Sequence, residues 1–239
     1  MIAVWVLAGF VSGLLVNYLA DVLPGTRRLS APIWWPISRN LIFSYLSKAR
    51  VLVVFLFSLV VAIVVFQSPP PNFSIILFAC ILAYFLLVTI IDIEHRAVLH
   101  PVSLAGALLL GGIGIWRHGL ISTLIGGLAG FAILLAFYFV GDWLGRLMAK
   151  RRGEKWQDTA LGFGDVNLAG VIGLLLGWPG VVAALFGGML AAGLLSAAYL
   201  LWMIVGRRYT AFTSIPYAPF LCFGAVLMFS MGIYLSSSI

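Results

Sequence analysis

Residues 75–92 read IILFACILAYFLLVTIID, a run of 17 uncharged and mostly apolar residues that ends on a carboxylate. A helix needs about 20 apolar residues, with roughly 17 tolerated, to cross the hydrocarbon core of a membrane. A strand of a membrane barrel would instead alternate apolar and polar residues, and the run VLVVFLF at residues 51–57 does not alternate at all. These two stretches predict transmembrane helices, and Asp92 lies at the end of the one that begins at residue 75.

The composition of the whole chain agrees with these two stretches. Of 239 residues, 63% are hydrophobic and only 9% are charged, whereas about a quarter of the residues of a soluble domain are charged. This composition excludes an ordinary soluble protein and predicts that the lipid bilayer covers most of the molecule. The net charge of +7 does not indicate nucleic-acid binding, because the basic residues lie between apolar runs. Cys80 and Cys222 also lie in apolar runs without metal-ligand spacing, so no metal site is predicted.

The same length criterion predicts an all-α fold, namely a polytopic integral membrane helical bundle of about eight transmembrane helices. We interpret residues 1–239 as a single membrane domain. The predicted spans are Ile2–Ala20, Val51–Phe66, Ile75–Ile91, Val102–Trp116, Leu120–Gly141, Val166–Trp178, Val181–Val205 and Tyr217–Leu235.

The basic residues predict the orientation of this bundle. Thirteen of the 14 Lys and Arg residues fall in odd-numbered loops between the predicted spans, and only Arg117 falls in an even-numbered loop. Lys and Arg are retained on the cytoplasmic side of membranes, so we expect both termini to be extracytoplasmic. The expected cytoplasmic segments are the loop of residues 24–50, which contains no cysteine, and the loops around 92–101 and 142–165.

Two aspartates stand out because each lies at the end of an apolar run, next to one of these cytoplasmic loops. Asp92 could simply mark a helix end and pair with Arg96 four positions later. Asp165, in a Gly-Phe-Gly-Asp sequence, could simply cap the helix that follows. The two glycines, Gly162 and Gly164, exceed what a cap needs, and we expect them to let an extended substrate peptide approach the acid.

The spans that follow the two aspartates, Val102–Trp116 and Val166–Trp178, are shorter than usual. Short spans predict helices whose polar ends dip below the headgroups and line a water-filled cleft. Two carboxylates in such a cleft could share a proton, one acting as general base on water and the other as acid toward a carbonyl, as in an aspartic protease. A proton-coupled transporter also keeps acids within a helical bundle, and an inactive membrane scaffold is a third alternative.

Four segments resemble, in order along the chain, the sequence blocks of prepilin peptidases, the intramembrane aspartyl proteases with a Gly-x-Gly-Asp motif. They are residues 9–24, the block IDIEHR at 91–96, the block GFGDVNLAGVIGLLLGW at 162–178, and IPYAPFL at 215–221. The last block has Ala218 where glycine is usual. The order of the blocks along nearly the whole chain is far more specific than any single motif.

The resemblance implies that Asp92 and Asp165 form the catalytic dyad of an endopeptidase. Its substrates would be type IV prepilins or type II secretion pseudopilins, cleaved at the cytoplasmic face of the inner membrane. The resemblance implies no cofactor for proteolysis, and S-adenosylmethionine if the N-methyltransferase activity of many members is retained. The zinc-binding cysteine pairs common in the family are absent from the loop of residues 24–50, which leaves that second activity open. Nothing in the sequence indicates an oligomeric state.

Overall fold

A computed structural model describes residues 13, 15–20, 23, 74–152, 161–206 and 216–236 of the chain. All regular structure in these residues is helical, so the predicted all-α class is confirmed there. The predicted span Val51–Phe66, most of the span Ile2–Ala20 and the loop of residues 24–50 lie outside the described residues.

Five helices have complete bounds in the described part of the chain. Three of them contain segments long and apolar enough to cross a membrane, Ile76–His95, His100–Leu147 and Gly180–Val205. The predicted shortness of the span after Asp165 is confirmed, because the helix there has only 14 residues. The helices are α1 (Ile75–His95), α2 (His100–Arg152), α3 (Phe163–Leu176), α4 (Gly180–Val205) and α5 (Ala218–Ser236).

Helix α2 combines two of the predicted spans, with a break between them at Gly119. The φ of Gly119 is 77° and its ψ is 167°, a conformation that glycine adopts readily because it has no Cβ. Residues 100–118 and 120–152 therefore form two arms of α2. The second arm continues as far as Arg152, although its apolar run ends at Gly141.

The extension of α2 differs from the predicted loop of residues 142–165, and a surface ion pair supplies a physical reason. The Arg146 guanidinium lies 2.7 Å from the carboxylate of Asp142, one turn earlier on the helix. Such a pair stabilises a helix beyond the point where its apolar residues end. The predicted loop around residues 92–101 is also shorter, because α1 runs to His95 and α2 begins at His100.

Helix α3 lies so close to the second arm of α2 that backbone meets backbone at several glycines, beside side-chain contacts such as that of Phe163 with Phe131. A Cβ atom on Gly126 would lie 2.5 Å from the carbonyl oxygen of Gly173, and one on Gly130 would collide with the carbonyl of Ala169. At the far end of α3, the Trp178 N–H donates to the Ser122 carbonyl at 3.2 Å. Small residues at helix contacts let backbones approach closely within a bilayer. This contact fixes the position of α3, and with it the position of Asp165 in its first turn.

The chain divides into two compact units, residues Met1–Ile91 with Ser230–Ile239 and residues Asp92–Phe229. The second unit contains the last turn of α1, all of α2, α3 and α4, and most of α5. Both aspartates singled out in the sequence belong to this unit.

Candidate active site

Asp92 lies in the last turn of α1 and is only 5% exposed. Its Oδ2 accepts a hydrogen bond of 3.0 Å from the backbone N–H of Ala218, the first residue of α5. The backbone N–H of Tyr217 acts on the same carboxyl. The first N–H groups of a helix have no partner within the helix, so a carboxylate satisfies them well. A hydrogen bond to a charged group contributes roughly 1.5–3 kcal/mol, enough to offset part of the cost of burying Asp92.

Asp165 lies in the first turn of α3 and is 7% exposed. Its Oδ2 accepts a hydrogen bond of 3.3 Å from the backbone N–H of Gly162, and its own N–H donates to the Gly162 carbonyl at 3.1 Å. Asp165 thus makes the N-terminal contact that one interpretation of the sequence predicted, although from the third helical position rather than from the cap itself. The second carboxyl oxygen, Oδ1, is buried and has no hydrogen-bond partner among the described residues.

The two carboxyls, 73 positions apart in the sequence, interact electrostatically in the fold. Burial raises the pKa of Asp165, the Asp92 carboxyl raises it further, and the Gly162 N–H opposes both, so that the pKa lies at about 7. Like charges at close range disfavour ionisation of both members of a pair. The cluster can therefore hold one proton near neutral pH, which is the state that acid–base catalysis by two carboxyls requires.

Two further groups act on this cluster. Arg96 follows α1 and has a φ of 49°, and its positive charge acts on Asp92. Tyr217 lies immediately before α5, and burial followed by the charge of Asp165 raises its pKa to about 12. The phenol of Tyr217 therefore stays neutral over the physiological pH range.

The two glycines predicted to bind substrate have different surroundings. A Cβ on Gly164 would lie 2.7 Å from the carbonyl oxygen of Val98, in the segment that joins α1 to α2. Gly162 is exposed, and a Cβ on it would meet only the Asp165 carboxyl at 3.3 Å. Gly164 thus allows the segment after Asp92 to pack on the start of α3. Of the two glycines, Gly162 is the more exposed, and binding of substrate by either glycine stays a prediction.

Sequence reasoning missed the contribution of α5 to this site. The last predicted span, Tyr217–Leu235, was given no role in the site, yet the two residues between Pro216 and Pro219 act on Asp92 through their backbone N–H groups. A usable signal was present, because proline has no N–H and a Pro-x-x-Pro sequence leaves only the two middle residues as donors. No group of three or more His, Cys, Asp or Glu side chains able to bind a metal occurs in the part of the chain that the structure describes.

Comparison with known proteins places these residues in a family. The profile of the type IV leader peptidase family matches residues 77–197, which is more than half of the chain and includes both aspartates. Two curated relatives, one from Aeromonas salmonicida strain A449 and one from Aeromonas salmonicida, are named prepilin leader peptidase/N-methyltransferase. Each is 27% identical over 178 residues, which cover 73% of this chain.

The aligned region covers 55% of each relative, so the chain spans about half the length of the curated relatives that it matches. No solved structure matches the chain significantly. The family profile, in contrast, extends from α1 through α3 into α4 and includes Asp92, Gly162, Gly164 and Asp165. The predicted resemblance is confirmed, and the chain belongs to the type IV leader peptidase family.

Proposed function

We propose that this protein is an intramembrane aspartic endopeptidase that cleaves the leader peptide of type IV prepilins or type II secretion pseudopilins. The observation that carries the proposal is that Asp92 and Asp165, from two different helices, are both buried and that the charge of Asp92 acts on Asp165. Membership of the leader peptidase family supports the same reaction and substrate class.

In the proposed reaction, the ionised carboxyl removes a proton from a water molecule as the water oxygen forms a bond to the scissile carbonyl carbon. The protonated carboxyl donates its proton to the carbonyl oxygen, which gives a neutral tetrahedral diol. Collapse of this diol breaks the C–N bond. The carboxyl that took the proton from water gives it to the leaving amine, and the other carboxyl takes a proton from a diol hydroxyl as the new carbonyl forms. Each carboxyl is then back in its starting state, with one proton on the pair.

The proposed site faces the cytoplasm, and both termini are extracytoplasmic. The charge distribution supports this orientation, because 13 of the 14 basic residues fall in alternate loops on one side of the predicted bundle. A prepilin has a short basic leader in the cytoplasm followed by an apolar helix in the bilayer. Its scissile bond would therefore lie at the same interface as Asp92 and Asp165.

For proteolysis we propose that no cofactor takes part, because two carboxyls and a water molecule complete the reaction. Methylation of the new N-terminus would require S-adenosylmethionine as methyl donor. The loop of residues 24–50 contains neither Cys nor His, so a zinc site built from cysteine pairs does not fit this chain. A gain of one methyl group in the mass of the cleaved product, in the presence of S-adenosylmethionine, would test the second activity.

The proposed function is tested with the purified protein and a prepilin in detergent or in liposomes. We expect Asp92→Ala and Asp165→Ala each to reduce release of the leader by roughly 10²–10⁴-fold, the usual contribution of one acid or base. Asp142→Ala is the matched control, because this aspartate is ion-paired with Arg146 on the extension of α2. Wild-type activity in either of the first two variants would exclude the dyad. Substrate-dependent proton flux without cleavage would favour the transporter alternative.

A further inference from the structure

We propose that the start of α5 makes the two carboxyls unequal, so that Asp92 is the ionised general base and Asp165 carries the proton. This assignment deepens the proposed peptidase activity and rests on it for its catalytic meaning. The distribution of protons between the two side chains is nevertheless a property of the protein alone.

The start of α5 supplies hydrogen-bond donors to Asp92. The Ala218 N–H donates to its Oδ2 at 3.0 Å in a buried contact, and the Tyr217 N–H acts on the same carboxyl. Neither Pro216 nor Pro219 can donate a hydrogen bond. The Ala218 hydrogen bond and the Tyr217 N–H both favour the charged form of Asp92, because donors to a carboxylate stabilise its ionised state.

Asp165 has fewer hydrogen-bond donors than Asp92. Its Oδ2 has one longer hydrogen bond, of 3.3 Å, from the Gly162 N–H, and its Oδ1 is buried without a partner among the described residues. An ionised carboxylate in that position would leave one charged oxygen without a donor. A protonated carboxyl places a neutral O–H there, and this O–H is free to donate to a substrate carbonyl.

The charged groups that face the two carboxyls also differ. Asp92 faces the positive charge of Arg96, the residue directly after α1, and the donors of α5. Asp165 faces Asp92 itself and the neutral phenol of Tyr217. The repulsion between the two carboxyls is mutual, so the discriminating charge among the described residues is that of Arg96, which favours the negative charge on Asp92 and leaves the proton on Asp165.

The assignment gives each residue one direction of proton transfer at the start of the cycle. Asp92 takes the proton from water as the new C–O bond forms, and Asp165 gives its proton to the carbonyl oxygen. The N–H groups of Tyr217 and Ala218 do not touch the reacting atoms. They are positioning groups that act through the Asp92 carboxylate.

Chemical labelling tests the assignment without using the peptidase reaction. Dicyclohexylcarbodiimide is a membrane-permeable reagent that modifies protonated carboxyls, and the modified residue is identified by mass spectrometry. Asp165→Asn leaves Asp92 as the remaining carboxyl of the pair, and Asp92→Asn leaves Asp165. As the pH is raised, we expect labelling of Asp165 to persist to higher pH than labelling of Asp92. The reverse order would overturn the proposal, whether or not the protein cleaves a prepilin.

A proline at position 218 tests the role of α5 directly. Ala218→Pro deletes the N–H at the first helical position, where proline is well tolerated. In the Asp165→Asn background, we expect this change to extend labelling of Asp92 to a pH higher by about one unit, which is the tenfold effect expected from loss of one good hydrogen bond. Ala218→Gly keeps the N–H and is expected to leave the labelling profile in place.

Gly180→Pro is the matched control for proline itself, because Gly180 is the first residue of α4 and a Cβ there would make only an ordinary contact, 3.5 Å from the Leu176 Cβ. An unchanged labelling profile in Ala218→Pro would overturn the role of the Ala218 N–H. If Ala218→Pro does not fold, the order of labelling in the two Asn variants still decides the assignment.

Discussion

The two carboxyls of the cluster occupy opposite ends of their own helices, yet the helix ends do not decide their charge. Asp92 lies at the carboxyl end of α1, where the helix dipole disfavours an anion, and Asp165 lies at the amino end of α3, where it favours one. The dipole contributes typically 0.3–1 kcal/mol, whereas each hydrogen bond to a charged group contributes roughly 1.5–3 kcal/mol. The donors of α5 therefore outweigh the dipole of α1. A neighbouring helix can thus determine the ionisation of a residue more strongly than the helix that carries it.

Among the changes that leave both carboxyls in place, the largest expected effect comes from disturbing the packing of the segment after Asp92 on the start of α3. Gly164→Ala places a methyl group 2.7 Å from the Val98 carbonyl oxygen and 2.8 Å from the Val98 Cβ, so the segment after Asp92 must move away from α3. A displacement of about 1 Å at a catalytic pair can reduce the rate by about 10²-fold. We expect a loss of this size in kcat for prepilin cleavage.

Gly162→Ala is the matched comparison for Gly164→Ala. Its methyl group meets only the Asp165 carboxyl at 3.3 Å, and the backbone at Gly162 is extended and accepts alanine. We expect a smaller loss of kcat than at Gly164. Equal losses in the two variants would show that the packing of Val98 on Gly164 does not set the geometry of the pair.

The next effect in size is the pH dependence of the wild-type protein. The proposed acid, Asp165, has a pKa of about 7 that is raised by burial and by Asp92. Because this carboxyl must be protonated to act, we expect kcat/KM to fall by about tenfold for each pH unit above about 7. This limb belongs to the pair as a coupled unit. A profile that stays flat to pH values well above 7 would contradict the assignment of Asp165 as the acid.

A smaller effect, on stability rather than on chemistry, is expected from the backbone contact that holds Asp165 in place. Gly173→Ala places a methyl group against the Gly126 carbonyl and 3.0 Å from the Gly127 Cα, and overpacking of this kind costs about 1–3 kcal/mol. We expect a lower midpoint of thermal unfolding in detergent. Asp92 keeps its hydrogen bond to α5, so its labelling with the carbodiimide is expected to be unchanged.

Gly170→Ala is the control for Gly173→Ala on the same helix. Its methyl group would meet Phe131 at 3.4 Å, which is an ordinary contact, and alanine is the better helix former. We expect thermal stability equal to or slightly above that of the wild type. A stability loss as large as that of Gly173→Ala would mean that the approach of α3 to α2 does not depend on backbone contact.

The smallest effect is expected at Arg96, which is exposed while its charge acts on Asp92. Arg96→Gln removes that charge, and we expect the acidic limb of the kcat/KM profile to move to higher pH by less than in Ala218→Pro. Exposed charges are screened by salt, so the shift is expected to disappear at about 1 M ionic strength. A shift larger than that of Ala218→Pro would show that Arg96, and not α5, keeps Asp92 ionised.

Much of the site could be predicted because charge is scarce in this sequence. Asp92 and Asp165 interrupt apolar runs, and the short helix α3 is visible as an apolar run too short to cross a membrane. The partner of Asp92 could not be predicted in the same way. It is a backbone N–H that lies 126 positions away, and a backbone donor leaves no trace in the type of residue that carries it.

The other differences have equally local causes. The end of α2 was predicted from its apolar residues, but the Asp142–Arg146 pair continues the helix where hydropathy no longer indicates one. Gly164 was predicted to make room for substrate because a glycine beside an acid has that use in principle. The structure places the Val98 backbone in that space, and only a contact between distant segments could show this.

The packing of α3 on α2 limits which parts of the site can move if the two carboxyls approach each other. A contact between side chains can adjust because side chains change rotamer. The contacts at Gly126 and Gly130 are made by backbone atoms, so no rotamer change can relieve them. Helix α3 and the second arm of α2 should therefore behave as one stiff body that carries Asp165. The short segment after α1 also meets α3 through backbone, at Val98 against Gly164, so any approach of Asp92 to Asp165 must move this segment against that stiff body.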